Sequence, residues 1–239
     1  MHRVAEQTIY SVFASESEKN LPAMEVELRD TLRRDALLFQ SLIVRSGQGP
    51  PLPVLRLEMS AARKTGRVLI CFADAGKATL ADSTAWLRAQ LKHYDTVLLA
   101  DLRGQGETAD PAAALDPKYY NYEYRPALLG LHLDLPLLTQ RVIDALQLAH
   151  YASETKPGGR SVDLYAAGQS SAIVVLHVAA CSGIVARVRL RALPLSWQAQ
   201  LARPIARDVY SDVLPGALQH YDVPDLVRAL GRQLEVEAH

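Results

Sequence analysis

From Arg67 onward, short apolar runs alternate with longer helical patterns, and no other feature of the chain constrains its fold as much. Arg67-Val-Leu-Ile-Cys-Phe72, Thr96-Val-Leu-Leu-Ala100, Val162–Ala167 and Val185–Leu193 read as strands, with a last one at Gln233–Ala238. Near-continuous apolar runs of this kind belong to strands covered on both faces. Between them, Thr79–His93 puts Trp86, Leu87 and Leu91 on one side of a helix. Leu133–Ala152 is a long amphipathic helix ended by the Lys156-Pro-Gly-Gly159 turn, and Val223–Leu230 is a short one. Strands alternating with helices imply an α/β fold, a mostly parallel, doubly wound sheet with helices on both faces.

The part before Arg67 follows another pattern. Ala36–Arg45 and Val54–Met59 flank the turn Ser46-Gly-Gln-Gly-Pro-Pro51 and read as an N-terminal antiparallel hairpin. Residues 1–35 are expected to be an extension with a short edge strand at Thr8–Ala14 and a short helix at Glu25–Arg34. Residues 36–239 form one α/β domain, a size that supports its own core.

Composition narrows the function classes. Lys+Arg and Asp+Glu are both 26, so a phosphate-tracking surface for nucleic acid or anionic membrane is not expected. The two cysteines, Cys71 and Cys181, lie in apolar runs and read as buried thiols rather than a disulfide framework. Paired Cys or His at zinc-binding spacing is absent, and neither metal nor cofactor is expected. There is no membrane-length apolar stretch and no apolar signal core, which makes the cytoplasm the default location and leaves export open.

Chemistry concentrates at Ser161-Val-Asp-Leu-Tyr-Ala-Ala-Gly-Gln-Ser-Ser-Ala172. A strand turns through Gly168-Gln-Ser-Ser171 into a small-residue helix over Ala172–Cys181, the shape of a nucleophile elbow. The turn lifts the serine hydroxyl out of the sheet and points the next backbone N–H at a developing oxyanion. Gly168 keeps a Cβ out of that turn. Ala172 stands where the usual pattern has a second glycine, so the match is Gly-x-Ser-x-Ala.

The order of motifs resembles the α/β-hydrolase fold and, more narrowly, its acetyl-xylan-esterase-like branch. The resemblance rests on Asp101-Leu-Arg-Gly-Gln-Gly-Glu-Thr108, on the aromatic loop running into a helix over Tyr119–Leu133, and on Val213-Leu-Pro-Gly-Ala-Leu-Gln-His-Tyr-Asp-Val-Pro-Asp-Leu226. It covers roughly residues 36–238. It implies Ser170 as nucleophile, one oxyanion N–H from Ser171, and the other from the loop near Asp74 or Ala75. It implies a small ester or acylated carbohydrate as substrate and no cofactor.

Two departures follow. Many relatives begin that loop with His-Gly, and here Ala73-Asp74 stands instead, which sets an acidic side chain beside the expected oxyanion. The resemblance also places the acid and then the histidine after the serine, and this sequence reaches Glu235-Val-Glu-Ala-His239 at the expected acid-bearing strand. His220 is a candidate base, although Asp222 and Asp225 beside it read as caps of the following helix. His177, two turns beyond Ser170, reads as packed, and His93, His132 and His150 as surface or core residues. Terminal His239 fits the order badly. Asp101 and Arg103 read as a structural ion pair that fixes their loop. Tyr119, Tyr120, Tyr122 and Tyr124 either line a pocket or pack on one another.

Three readings remain open at this level. The chain is a serine ester hydrolase, a non-catalytic binding or scaffold module on the same fold, or a fragment completed by further residues or a partner chain. An edge strand at Gln233–Ala238 implies pairing with a second copy, hence a homodimer.

Overall fold

The computed structural model describes residues 24–46, 49–59, 65–109, 122–154, 161–204 and 209–237. Eight strands form one sheet: β1 (Met24–Arg34), β2 (Leu37–Ser46), β3 (Leu52–Met59), β4 (Arg67–Ala73), β5 (Thr96–Ala100), β6 (Ser161–Ala167), β7 (Val185–Leu190) and β8 (Leu234–Val236). Their spatial order is β1-β2-β3-β5-β4-β6-β7-β8. The first three strands pair antiparallel, β3 pairs antiparallel with β5, and β5, β4, β6, β7 and β8 run parallel. This is the mixed, mostly parallel α/β sheet expected from the alternation, with the hairpin at Ala36–Met59 in place.

The alternation of side chains along β4 builds two cores. Val68, Ile70 and Phe72 face one layer, and Leu69, Cys71 and Ala73 the other. The first layer holds α4 (Leu137–Glu154), α5 (Gln169–Cys181) and α7 (Val223–Leu230); the second holds α1 (Ala78–Ala81) and α2 (Thr84–Gln90). Helix α3 (Tyr124–His132) precedes α4, and α6 (Trp197–Leu201) follows β7. Helix α5 is buried from Ser170 through Ala179, so it runs through the middle of the first layer. Both cysteines are buried thiols outside any disulfide, as their apolar settings imply.

Several expectations are corrected. Glu25–Arg34 is the edge strand β1, not a helix, and it pairs with β2 around the turn at Asp35, whose φ of 56° an aspartate tolerates. Most of β1 is exposed, so its sequence carries no burial period, and backbone pairing with β2 decides its conformation. The helix expected at Thr79–His93 is broken into α1 and α2 at Ser83. Helix α4 starts four residues later than expected, because Leu133 caps α3 and Asp134 turns the chain with φ 55°. The irregular stretch Ser196–Pro215 contains α6 and a short 3₁₀ turn, Tyr210–Asp212. Thr8–Ala14 lies outside the described residues.

Helix α7 is capped as its sequence implies. Asp222 accepts the Val223 N–H at 2.6 Å, and the Asp222 N–H donates to the Asp225 carboxylate at 2.8 Å. Asp222 also accepts the Trp197 N–H at 2.8 Å, so one side chain ties the starts of α6 and α7 together. That junction holds the Tyr210–Asp212 turn in place, because the Trp197 indole N–H donates to the Asp212 carbonyl at 3.0 Å.

Candidate active site

Neighbouring strands β4 and β6 end side by side, and the Asp74 N–H donates to the Ala167 carbonyl at 3.1 Å. At Gly168 the chain leaves β6 with φ 127° and enters α5 within one residue. A Cβ on Gly168 would lie 2.3 Å from the Asp74 Cγ, so glycine is required both by conformation and by space.

The Asp74 carboxylate fills the space this opens. It accepts the Ser170 N–H at 3.1 Å, the Ser171 N–H at 2.7 Å and the Ser171 hydroxyl at 2.7 Å. The first turn of α5 leaves its N–H groups without intrahelical acceptors and carries the positive end of the helix dipole. An anion bound there is favoured on both counts. Here the anion is a side chain of the protein itself.

Ser170 is almost fully buried, and its hydroxyl faces the Ser211–Asp212 turn, 3.5 Å from the Ser211 hydroxyl. Asp212 is 2 % exposed and its Oδ1 has no hydrogen-bond partner. Burial pushes its carboxyl up to about 6; the Ser170 hydrogen bond and the Arg141 guanidinium pull it down, while Asp74 and Glu123 add to the rise. Arg141 is fully buried: Nε donates to the Arg103 carbonyl at 2.9 Å, Nη2 to Glu123 Oε1 at 2.5 Å, and Nη1 has no partner.

The candidate residues fall into two groups. Ser170 and Ser171 meet at the head of α5, and Ala75 is exposed on the turn that follows β4. His220 is exposed behind a 3₁₀ turn, and no contact joins it to Ser170 among the described residues. His177 is fully buried and points away: Nδ1–H donates to the Ile173 carbonyl at 2.7 Å, and Nε2 accepts the Tyr221 hydroxyl at 2.8 Å. Burial lowers its pKa to about 4, so it is neutral near pH 7. His93 and His132 are exposed and His150 is half-buried; His239, Tyr119 and Tyr120 lie outside the described residues. Tyr122 is exposed, whereas Tyr124 packs edge-on against Tyr210 at 4.9 Å.

Asp101 and Arg103 both act structurally, but not with one another. Asp101 accepts the Lys77 ammonium at 2.7 Å and the Lys77 and Glu107 N–H groups at 2.6 and 3.0 Å. Arg103 pairs with Asp144 and donates to Gln140 at 2.6 Å. Sequence reasoning missed Asp212 and Arg141 as parts of this site. Arg141 did leave a signal: it interrupts the apolar face formed by Leu138, Val142 and Ala145.

Among the described residues no group of three or more His, Cys, Asp or Glu could hold a metal ion, and no helix is long and apolar enough to cross a membrane.

No family model matches the chain, and no curated sequence matches it. Solved structures do. A Bacteroides fragilis protein provisionally assigned as an acetyl xylan esterase superposes with a TM-score of 0.76 at 13 % identity, over 98 % of this chain. The chain has the α/β-hydrolase fold. Acetyl xylan esterase 1 of a Thermoanaerobacterium species matches with a TM-score of 0.59 and 17 % identity over 95 % of this chain and 72 % of its own. A glucuronoyl esterase of Solibacter usitatus matches at 0.55 and 10 % over 97 % and 72 %. The chain spans 66 % of the Bacteroides protein, just under two thirds of its length. The β6–Gly168–α5 junction has the strand–turn–helix shape of a nucleophile elbow, with the Ser171 N–H directly after Ser170. In this chain Asp74 occupies that N–H.

Proposed function

We propose that this is an esterase-type α/β-hydrolase-fold domain that binds its ligand without hydrolysing it. One observation carries the reading: the Asp74 carboxylate accepts both the Ser170 and Ser171 N–H groups. An ester carbonyl oxygen polarised by the Ser171 N–H would have to sit where a carboxylate oxygen already is. Like charge would oppose the oxyanion that forms next. The ligand class is the acylated carbohydrates for which its structural neighbours are named. The exposed edge of β8 is proposed as the surface where two copies pair, which sedimentation of the purified chain would test.

A second reading, a serine esterase working through an acyl-enzyme on Ser170, is favoured by one feature: Ser170 stands at the strand-to-helix turn, and its hydroxyl faces the Ser211–Asp212 turn. It keeps Ser171 and Ala75 as oxyanion donors and His220 as a base that would have to move inward. One experiment decides between the two. p-Nitrophenyl acetate is given to the wild type and to Ser170→Ala, with intact-mass detection of an acylated serine. Equal, near-background rates and no adduct are expected. A burst that is lost in Ser170→Ala would establish the esterase instead.

A further inference from the structure

We propose that the cavity between α3 and the start of α4 is a binding site for a medium-chain acyl carboxylate, its anionic end on Arg125 and its apolar body along α3. The inference goes beyond the reading above and does not depend on the state of the elbow.

The cavity holds about 490 Å³, a volume suited to a small organic ligand. Tyr122, Leu129, Leu133 and Leu135 stand around it, and each is more than half exposed. A single leucine in water is ordinary, but several large apolar side chains gathered at one concavity mark a place that something covers. Arg125, Leu129 and Leu133 follow one another at intervals of four residues, so they share one side of α3 and its C-cap. Ala127 and Gly130 are buried on another side, which leaves the Arg125–Leu133 stripe turned to the cavity. From Arg125 to Leu133 the helix rises about 12 Å, the reach of a medium-length acyl chain.

The floor is fixed, so the leucines cannot simply collapse on one another. The Leu135 N–H donates to the Gly130 carbonyl at 2.8 Å, and Gln140 Nε2 donates to the Leu135 carbonyl at 2.6 Å. A Cβ at position 130 would lie 2.6 Å from the Leu135 oxygen, so only glycine lets the α3–α4 corner close this tightly. Gln140 Oε1 in turn accepts from Arg103, which ties the corner to the loop after β5.

Charge selects the ligand's polar end. Two guanidinium groups, Arg103 and Arg125, line the cavity, and no described carboxylate does. Asp134 falls between two of the leucines in sequence but is not among the lining residues. The Arg103 charge is matched by Asp144, whereas no ion pair joins Arg125 to another described residue. The site therefore offers an apolar wall with one unmatched cation at its end, the complement of a monocarboxylate.

The test follows amide NMR spectra of the full, nitrogen-labelled chain during titration with sodium octanoate, and in parallel with uncharged 1-octanol. Saturating shifts confined to Tyr122–Gln140 are expected with octanoate, and 1-octanol should bind about tenfold or more weaker. Arg125→Gln is expected to weaken octanoate by about the same factor and to leave 1-octanol unchanged, and Leu129→Ser to weaken both. Thermal melting checks that each variant folds; if Leu129→Ser does not, Leu133→Ser is read in its place. Absence of saturating shifts at these residues, equal affinity for the two probes, or an Arg125→Gln variant that binds octanoate like the wild type overturns the inference. So does sedimentation in which the leucine variant dissociates an oligomer, because a second copy of the chain would then be what covers this face.

Discussion

The Tyr221 hydroxyl donates to His177 Nε2 across 2.8 Å, because the Ile173 carbonyl, which can only accept, holds the ring proton on Nδ1. With Nδ1–H on the Ile173 carbonyl and Nε2 accepting from Tyr221, the neutral ring has a partner at both nitrogens. Burial holds its pKa at about 4, against 6.5 for a free histidine. The unfolded chain therefore protonates first as pH falls. The stability tied to a neutral His177 is complete above 6.5 and is lost between 6.5 and 4. His177→Gln removes that dependence, and chemical denaturation at pH 8 and pH 4.5 should find about 2 kcal/mol less acid-side loss than in the wild type. Parallel profiles for the two proteins would contradict the assignment.

Asp212 pulls in the opposite direction. Its folded pKa is about 6 and its ordinary value 3.8, so the folded state holds the proton longer. Its contribution is present below about 4 and is lost as pH rises towards 6. Asp212→Asn should stabilise the protein by about 2 kcal/mol at pH 8, with the difference closing near pH 4. Since the two slopes oppose one another over nearly the same window, the wild type should respond weakly to pH where each single variant tilts. The same denaturation series reads both.

Gly168 meets two separate restrictions, and they can be separated. Its φ of 127° strains any L-residue, and a Cβ would collide with Asp74. Gly168→Ala should cost about 3 kcal/mol or more. In the Asp74→Ala background the collision is gone and the same substitution should cost only the backbone strain, about 1–2 kcal/mol. A double-mutant cycle by thermal melting measures the difference, and additivity would mean that Asp74 does not occupy the space beside the elbow.

Lys77 and Asp101 form a buried pair that joins the loops after β4 and β5. Lys77→Met leaves the Asp101 carboxylate with two backbone N–H donors and no cation. A loss of about 3–5 kcal/mol is expected, the range for breaking one side of a buried pair. A variant with unchanged melting temperature would show that the N–H groups suffice.

Much of the architecture could be read from short-range pattern. Thr96–Ala100 and Val223–Leu230 occupy the residues their composition marks out, and the Asp222–Asp225 cap follows from its own four residues. The glycine at 168 and the serine two residues on announce the elbow, because a strand-to-helix turn this tight tolerates few alternatives. Strand β1 did not announce itself. Its charged, exposed residues have no period, and only the register with Leu37–Ser46 makes it a strand.

Local sequence thus determined the central strands, the cap of α7 and the position of Ser170, because periodicity and turn chemistry act over a few residues. The state of that serine was decided elsewhere. Asp74 lies 97 residues before Ser171, and Ser211 lies 41 after Ser170. They meet the elbow because β4 and β6 are neighbours in the sheet and because the α6–α7 junction carries the Tyr210–Asp212 turn back over α5. Strand order and helix docking are collective outcomes of burying one core. Whether an acidic side chain beside an elbow turns outward or binds the helix N-terminus depends on that shared geometry, and no stretch of residues taken alone contains it.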